Sequence, residues 1–349
     1  MKILVYTDVQ ATEGAERCRA RPEVTLQRYR TARFFIELER LARERRVDAV
    51  WDLGDTLDNR SEIPVPTIQV VEAGLAWLMR GRGGPLCYKL IGNHEQHQKA
   101  AGVHTGALFN PFFRVVPERE VFDWSRVEED GPWIIAAAFP YDFEDAAAWI
   151  RAEVVRGREA NRNVIVIGHL PLKGARLPGG PLATGLEADC LEGADFALLG
   201  HVHRHQEVRR SYWYVGSPFQ QDFGEAGEPK GVALFDTRTL EVEFVDLGGF
   251  PQYRVAEAAG LPDELALGED RWKILVRDRA QAQAIYARPW APEVELTYLY
   301  EEAAARDPEA NVLVGEPESL VKEYLATHPA AGLDGARLLE MGMGFLRGQ

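Results

Sequence analysis

Short apolar runs alternate with longer amphipathic stretches along the first 250 residues of the chain. Such runs are typical of buried strands, and they predict strands at 3–6, 49–53, 86–91, 133–139, 164–167 and 196–199. Between them, apolar residues recur at helical spacing, which predicts helices over 26–41, 68–79 and 146–155. Strands that alternate with helices in this way indicate an α/β fold with layered sheets and helices.

The pattern changes after residue 212, where strands separated by short turns are predicted at 212–215, 232–235 and 242–245. Gly248, Gly249 and Pro251 then favour a domain boundary. Beyond it, apolar runs predict strands at 272–276 and 294–300, and apolar stripes predict helices at 318–327 and 334–346. We expect three parts: 1–250, a smaller domain over 251–315, and C-terminal helices over 316–349 that either pack on their own domain or bind a partner.

The composition is that of an ordinary soluble globular protein, with 46% hydrophobic and 27% charged residues. It excludes disordered and collagen-like classes, and no apolar run approaches the ~20 residues that a membrane helix needs. The first residues form a strand pattern rather than a signal peptide. Cys18, Cys87 and Cys190 are too few for a disulfide framework, so we expect a reducing compartment such as the cytoplasm.

The net charge of −14 argues against a protein that coats nucleic acid. It does not exclude an enzyme that acts on nucleic acid, because bound divalent metals reverse the local sign of the charge. Many arginines lie between Arg17 and Arg46. Two interpretations are open: they form a solvated helix face, or some of their guanidinium groups contact phosphate.

Polar residues follow five of the predicted strands at the point where each strand ends. In open α/β sheets, loops at the carboxyl ends of strands gather around one crevice, so we expect these residues to lie together. Seven of the eight histidines lie between His94 and His205, which argues against random scatter. The strand-end groups are Asp8-Val9-Gln10, Gly54-Asp55, Gly92-Asn93-His94-Glu95, Gly168-His169 and Gly200-His201-Val202-His203.

The residue types in these groups are those that bind first-row divalent metals. Imidazole mixed with carboxylate and amide donors suits Mn, Fe or Zn and is too rich in nitrogen for Ca. One ion would leave donors unused, whereas two ions bridged by a carboxylate would use all of them, as in two-metal phosphoester hydrolysis. The alternative is that these residues only cap turns. A lone Gly-Asp or Gly-His pair would not exclude that alternative, but the ordered set argues against it.

The ordered set resembles the calcineurin-like metallophosphoesterases, whose pattern is Asp-x-His, Gly-Asp, Gly-Asn-His, a single His and then Gly-His-x-His. It is most similar to SbcD-type nuclease subunits of DNA double-strand-break repair, especially phage-encoded recombination exonuclease subunits. The resemblance covers residues 1 to about 250 well and the remainder only in outline. The stretches that carry it are 53–60, 92–95 with Lys99 downstream, and 214–225 followed by Lys230-Gly231.

The resemblance implies a four-layer α/β/β/α metallophosphoesterase sandwich with a smaller α+β C-terminal capping domain. It implies a hydrolase that cleaves phosphodiester bonds with two divalent metal ions, Mn²⁺ being the most favoured. His94 would be catalytic, by orienting the phosphate or protonating the leaving oxygen. The implied ligands are Asp8, Gln10, Asp55 and His203 for one ion, and Asp55, Asn93, His169 and His201 for the other.

The same resemblance implies DNA as the substrate, both duplex ends and single strands, in recombination and repair. It implies a homodimer and an SbcC-like ATPase partner that binds the helices over 316–349, while residues 251–315 would cap the site and bind DNA. The compartment would be the cytoplasm, including that of a phage-infected host. Two alternatives stay open: a calcineurin-like phosphodiesterase or phosphatase that acts on nucleotides or phosphoproteins, and an inactive scaffold of the same fold.

Position 10 departs from the family pattern, because Gln10 stands where the family has His. An amide oxygen is a poorer donor than imidazole for Mn or Zn, so Gln10 is either a weak ligand or leaves a position for water. Asp58 stands where many relatives carry a second catalytic His, and the sequence assigns it no role. His97, His104 and His205 lie off the pattern and are expected to be neighbours rather than ligands.

Overall fold

The computed structural model describes residues 1–19, 21–59, 61–81, 86–97, 103–127, 130–177, 180–182, 184–262 and 264–299. The helices predicted at 318–327 and 334–346, together with Arg60 and Lys99, lie outside the described residues. No helix in the described part of the chain is long and apolar enough to cross a membrane.

Strands and helices alternate through the first two hundred residues, as the hydrophobic pattern predicts. The helices are α1 (Leu26–Arg45), α2 (Val65–Leu78), α3 (Phe143–Glu159) and α4 (Arg279–Tyr286). The strands are β1 (Lys2–Tyr6), β2 (Ala49–Asp52), β3 (Tyr88–Leu90), β4 (Arg114–Val116), β5 (Arg119–Asp123), β6 (Trp133–Ala137), β7 (Val164–His169), β8 (Arg176–Leu177), β9 (Gly180–Pro181), β10 (Phe196–Gly200), β11 (Gln206–Arg209), β12 (Tyr212–Tyr214), β13 (Gly231–Asp236), β14 (Glu241–Asp246), β15 (Tyr253–Glu257), β16 (Arg271–Val276) and β17 (Val294–Tyr298).

Two six-stranded sheets form the centre of the fold, in the orders β14-β13-β1-β2-β3-β4 and β11-β12-β10-β7-β6-β5. The strands β1 to β4 run parallel in the first sheet, and β6, β7, β10 and β12 run parallel in the second. Antiparallel strands form one side of the first sheet, β13 and β14, and both edges of the second sheet, β11 and β5. The other edge of the first sheet, β4, is parallel to β3. Parallel strands of this kind need crossover connections, which α1, α2 and α3 supply.

Alternation of side chains along the second sheet shows how the layers stack. Ile134 and Ile165 belong to the hydrophobic core shared with the first sheet, whereas their neighbours Ile135 and Val166 pack in the core beneath α3. Successive side chains of a strand point to opposite faces, so the second sheet is covered on both sides. The first sheet is covered on its outer face by α1 and α2. The α/β prediction and the four-layer α/β/β/α sandwich are confirmed.

A third sheet, of order β15-β16-β17, follows the central sandwich and packs with α4 around its own small hydrophobic core. Arg30 of α1 is fully buried against the start of this segment. Its Nη2 donates to the carbonyl of Pro251 at 2.9 Å, and its guanidinium lies 4.8 Å from the ring centroid of Tyr253. A desolvated cation over an aromatic ring contributes about 2 kcal/mol, so Arg30 ties α1 to β15.

The arginines of α1 mostly serve the fold itself. Arg40 lies between Glu37 and Glu44 at 2.9 and 2.7 Å, and Arg45 pairs with Glu243 of β14 at 2.6 Å. These pairs favour the interpretation of a solvated helix face over that of a phosphate-binding face.

Candidate metal centre

Five loops that follow strands of both central sheets meet around one group of polar side chains. The loops after β1, β2 and β3 come from the first sheet, and those at the ends of β7 and β10 come from the second. The structure brings together all seven sequence-predicted ligands in one set of contacts. They are Asp8, Gln10, Asp55, Asn93, His169, His201 and His203.

Asp8, Asp55 and His169 form the buried part of this group, and one donor atom from each lies within 4.8 Å of the others. Oδ2 of Asp55 is 3.2 Å from Nε2 of His169. Oδ1 of Asp8 is buried and has no hydrogen-bond partner among the described residues. A buried carboxylate oxygen without a partner is unfavourable, and a bound cation would satisfy it. The donor set therefore fits a divalent metal.

Asn93 joins the two histidines of the second sheet. Its Oδ1 lies 3.2 Å from Nε2 of His169 and 2.9 Å from Nδ1 of His201. His169 donates its Nδ1–H to the carbonyl of Leu53 at 2.8 Å, so Nε2 is the ring nitrogen directed toward Asp55 and Asn93. A backbone carbonyl that fixes the imidazole tautomer in this way is a common feature of histidine metal ligands.

Gln10 and His203 complete the group on the side of Asp8. The side-chain amide nitrogen of Gln10 lies 3.1 Å from Nε2 of His203, which is itself 3.8 Å from Oδ1 of Asp8. Gln10 thus lies next to His203 and near Asp8, two of the residues that the family pattern assigns to the same metal ion as position 10. An amide can present either its nitrogen or its oxygen by rotating about its last torsion, so the oxygen can also face this point.

At several positions of the centre the backbone has a positive φ, a conformation that residues other than glycine seldom adopt. Asp8, Gln10, Asp55 and His201 have φ values of 52°, 49°, 53° and 93°. Such residues cluster where function requires strain that the surrounding structure must hold in place. Gly54, with φ of 111°, allows a close approach, because a Cβ there would overlap Nδ1 of His169.

The buried carboxylate of Glu95 holds the second and third strand-end loops together, a role that the sequence analysis did not assign. It accepts hydrogen bonds from the backbone N–H groups of Asp55 and Gly92 at 3.1 Å and of Thr56 at 3.0 Å. It also pairs with the ammonium group of Lys89 at 2.8 Å. Lys89 interrupts an otherwise apolar predicted strand. A cation at a buried strand position indicates a buried anionic partner, and this is the feature of the sequence that points to Glu95.

Glu225 is a second positioning residue that the sequence analysis missed. Its carboxylate lies 2.7 Å from Nδ1 of His203 and 2.8 Å from Nζ of Lys230. Burial alone would raise the pKa of Glu225, but the contacts with His203 and Lys230 lower it to about 2. The ionised carboxylate therefore holds His203 with Nε2 directed toward Asp8 and Gln10. A carboxylate behind a histidine raises the basicity of the ligand and fixes its tautomer.

His94 lies beside the cluster and is paired with Asp58. The backbone N–H of His94 donates to Oδ1 of Asp55 at 2.9 Å, and its Nδ1 lies 3.0 Å from the Asp58 carboxylate. The hydrogen bond to Asp58 raises the pKa of His94 to about 9, against the effect of burial. The sequence assigned no role to Asp58. In the structure its carboxylate orients His94 and favours the protonated form of the ring.

The two histidines of the second sheet differ in protonation. Burial lowers the pKa of His169, but the carboxylate of Asp55 more than offsets this, and the pKa is about 9. Burial and the charge of His169 lower the pKa of His201 to about 4. A cation that binds here must displace the proton of His169, so metal binding releases protons.

Two histidines outside the pattern have structural roles. His104 caps the short helix that follows it, its Nδ1 accepting from the N–H of Gly106 at 2.9 Å. The ring of His205 stacks on Phe244, with centroids 3.8 Å apart. The ring nitrogens of both residues are hydrogen-bonded to the backbone, His104 to Gly106 and His205 to Val215.

With this geometry established, the family pattern of calcineurin-like phosphoesterases matches residues 1–205, and the chain belongs to that family. It is a metal-dependent hydrolase of phosphoesters by class. The matched range ends just after the last of the strand-end histidines, so it includes all seven predicted ligands and His94.

Among curated proteins, the chain is similar to exonuclease subunit 1 of Enterobacteria phage T4, with 26% identity over 193 residues. The match covers 55% of this chain and 54% of the phage protein, so the chain spans about half the length of that relative. Similar solved structures include a dimetal phosphatase from Danio rerio, with 13% identity, a TM-score of 0.45 and coverage of 67% of this chain and 91% of that chain. Another is a protein of Thermus thermophilus, TT1561, with 12% identity, a TM-score of 0.41 and coverage of 71% and 99%.

Replacement of Glu225 tests its positioning role. We expect Glu225→Gln to weaken Mn²⁺ binding roughly 10- to 100-fold, because a neutral amide holds the His203 imidazole less strongly than a carboxylate does. Calorimetric titration of the metal-free protein with Mn²⁺ measures this. Glu228→Gln is the matched control, since Glu228 also pairs with Lys230, at 3.2 Å, but its recorded partners do not include His203. Equal losses in both variants would contradict the role.

Replacement of Asp58 tests the charge on His94. In metal-free protein, the imidazole of His94 should titrate near 9, and Asp58→Asn should lower its pKa toward the ordinary 6.5, because the carboxylate that favours the protonated form is lost. NMR titration of the histidine side chains measures this directly. His205 is the internal control and should not shift. An unchanged pKa of His94 would show that Asp58 does not set it.

Proposed function

We propose that the chain is the nuclease subunit of a DNA recombination and repair system, acting on duplex ends and single strands as an exonuclease and endonuclease. The observation that carries this proposal is the similarity to exonuclease subunit 1 of phage T4, 26% identical over 193 residues. Membership of the phosphoesterase family supports the reaction class. A buried metal-binding cluster beside a protonated histidine supports phosphodiester hydrolysis by the same site.

We assign two metal ions to this site. Asp8, Gln10, Asp55 and His203 would hold one, and Asp55, Asn93, His169 and His201 would hold the other. The contacts of Asp8 with His203, and of Asn93 with His169 and His201, support this division. When bound, the ions would supply Lewis acidity and an activated water nucleophile. Mixed nitrogen and oxygen donors suit Mn, Fe or Zn, and the resemblance to SbcD-type nucleases favours Mn²⁺ among them.

His94 is the proposed catalytic residue. Its side chain is 34% exposed, so it can reach a substrate phosphate, whereas His169 is fully buried. The carboxylate of Asp58 accepts a hydrogen bond from Nδ1–H of His94. The second N–H of the protonated ring, on Nε2, can then donate to the leaving oxygen. In the metal-free protein the hydrogen bond to Asp58 raises the pKa of His94 to about 9. A protonated ring would also stabilise the negative charge that builds on the phosphate oxygens.

The partners follow from the same proposal. Residues 316–349 would bind an SbcC-like ATPase, and residues 251–315 would cap the site and bind DNA. The chain would pair into a homodimer, and α1 and α2 carry the exposed apolar side chains Ile36, Val65 and Trp77, at 61%, 65% and 49%. The proposed compartment is the cytoplasm, including that of a phage-infected host.

The direct test compares linear duplex DNA, single-stranded DNA and a chromogenic phosphodiester as substrates with added Mn²⁺. We expect hydrolysis of DNA, and His94→Ala should reduce it by at least about 100-fold because the proton donor is lost. The metal content of His94→Ala, measured by elemental analysis, should equal that of the wild type. A matching loss of metal would make His94 a ligand, and hydrolysis of the chromogenic substrate alone would favour a different phosphoesterase.

The role of Gln10 is tested by the metal dependence of this reaction. Gln10→His should lower the Mn²⁺ concentration for half-maximal hydrolysis several-fold, because imidazole is a better donor than an amide oxygen. Gln10→Ala should raise it. The saturated rate should change little in either variant. Identical midpoints in all three proteins would show that the residue at position 10 does not contact the metal.

A further inference from the structure

A cavity of about 320 Å³ lies beside the metal centre and shares Phe139 with it. The ring centroid of Phe139 is 5.4 Å from that of His201 and 6.2 Å from that of His169. The volume is at the lower end of the range of about 300–1,000 Å³ for ligand pockets, so it suits one small group. The cavity and the metal centre therefore adjoin at the ring of Phe139.

The walls of this cavity are suited to a flat ring. Phe139 and Tyr141 stand at 78° to each other with centroids 5.7 Å apart, and both are partly exposed. Ala137 and Ala138 add small apolar surfaces between them and the sheet. Aromatic side chains at such positions stack on the faces of planar ligands.

A buried acceptor in the cavity has no partner. Gln96 is only 8% exposed, and its Nε2 donates to the carbonyl of Phe139 at 3.1 Å, which fixes the orientation of the amide. Its Oε1 is buried and has no hydrogen-bond partner among the described residues. An unsatisfied buried acceptor requires an explanation, and a ligand that donates a hydrogen bond supplies one.

A second polar side chain lines the cavity. His104 is among its lining residues, and its backbone pairs with that of Gln96 in an isolated β-bridge. Because Nδ1 of His104 accepts from the N–H of Gly106, the neutral ring carries its proton on Nε2. Every nucleobase edge carries donors and acceptors, adenine through its amino group and ring nitrogen and thymine through N3–H and O4, so a wall with both kinds of group suits a base.

The charges of the described lining residues do not favour a phosphate as the occupant. Glu118, Asp142 and Asp145 all line the cavity. Arg119, the one cation among the lining residues that the structure describes, is already paired with Asp145 at 2.8 Å. This surface repels an anion and tolerates an uncharged group that bears an amino substituent.

We propose that this cavity binds one nucleobase of the substrate, adjacent to the phosphodiester that occupies the metal centre. Tyr141 stacks on the base and Phe139, at 78° to it, contacts the base with its edge. Gln96 and His104 line the same cavity. The inference rests on the proposed nuclease function and adds a base-binding site to it.

The test measures equilibrium binding of mononucleotides to the Mn²⁺-loaded full chain. Adenosine deoxymononucleotides with a 5′- or a 3′-phosphate are compared with their thymidine counterparts and with deoxyribose phosphate, which lacks a base. We expect the adenine nucleotide to bind roughly tenfold more tightly than deoxyribose phosphate, because a base stacks on an aromatic side chain. The thymine nucleotide should also bind more tightly than deoxyribose phosphate, because every base has a face that can stack.

Variants of Tyr141 locate the effect. Tyr141→Ala should bring the ratio between adenine nucleotide and deoxyribose phosphate toward one, whereas Tyr141→Phe keeps the ring and should retain the ratio. Thermal denaturation confirms that each variant is folded. The wild-type comparison needs no variant and stands alone if one fails to fold.

Equal affinity of the wild type for adenine nucleotide and deoxyribose phosphate would overturn the proposal, as would a ratio unchanged in Tyr141→Ala. Hydrolysis of DNA is scored separately on the same preparation. Hydrolysis without a base contribution overturns the base pocket alone. A base contribution without hydrolysis of DNA overturns the nuclease proposal and retains a nucleotide-binding pocket.

Discussion

The metal centre depends on one carboxylate that has no contact with solvent. An ionised group in that position costs several kcal/mol unless its hydrogen-bonding capacity is filled. Glu95 meets this condition with Lys89 and the N–H groups of two separate loops, so it stays favourable only while both loops keep their shape. The left-handed backbone of Asp55 is therefore held before any cation binds. Without this support, the strained ligand loops would relax.

Much of the central fold could be predicted because its strands are buried on both faces. Val164–His169 is an uninterrupted apolar strand ending on a polar residue, and such runs leave little choice of structure or of where the side chain emerges. The same argument explains why the seven predicted ligands lie together. Prediction failed for β4 and β5, which are short outer strands, and for α4, whose eight residues are too few for a clear helical period.

The supporting residues of the centre were harder to predict, for a physical reason. Glu225 meets His203 only because the chain returns 22 residues later, and no periodicity encodes that return. Asp58 and His94 are likewise 36 residues apart. Candidate ligands can be recognised in the sequence because they directly follow a strand. The residues that orient them can be identified only from tertiary contacts. Sequence patterns identify the atoms that would touch a metal more readily than those that set their basicity.

The division of the centre between two sheets has a consequence for synthesis of the protein. Asp8, Asp55 and Asn93 belong to the part of the chain made first, and His169, His201 and His203 follow only when the second sheet is complete. During translation, the emerging chain at first holds only half of the predicted donor set. The complete centre can therefore assemble only late in synthesis, after the second sheet and the Glu225 that orients His203 have been made.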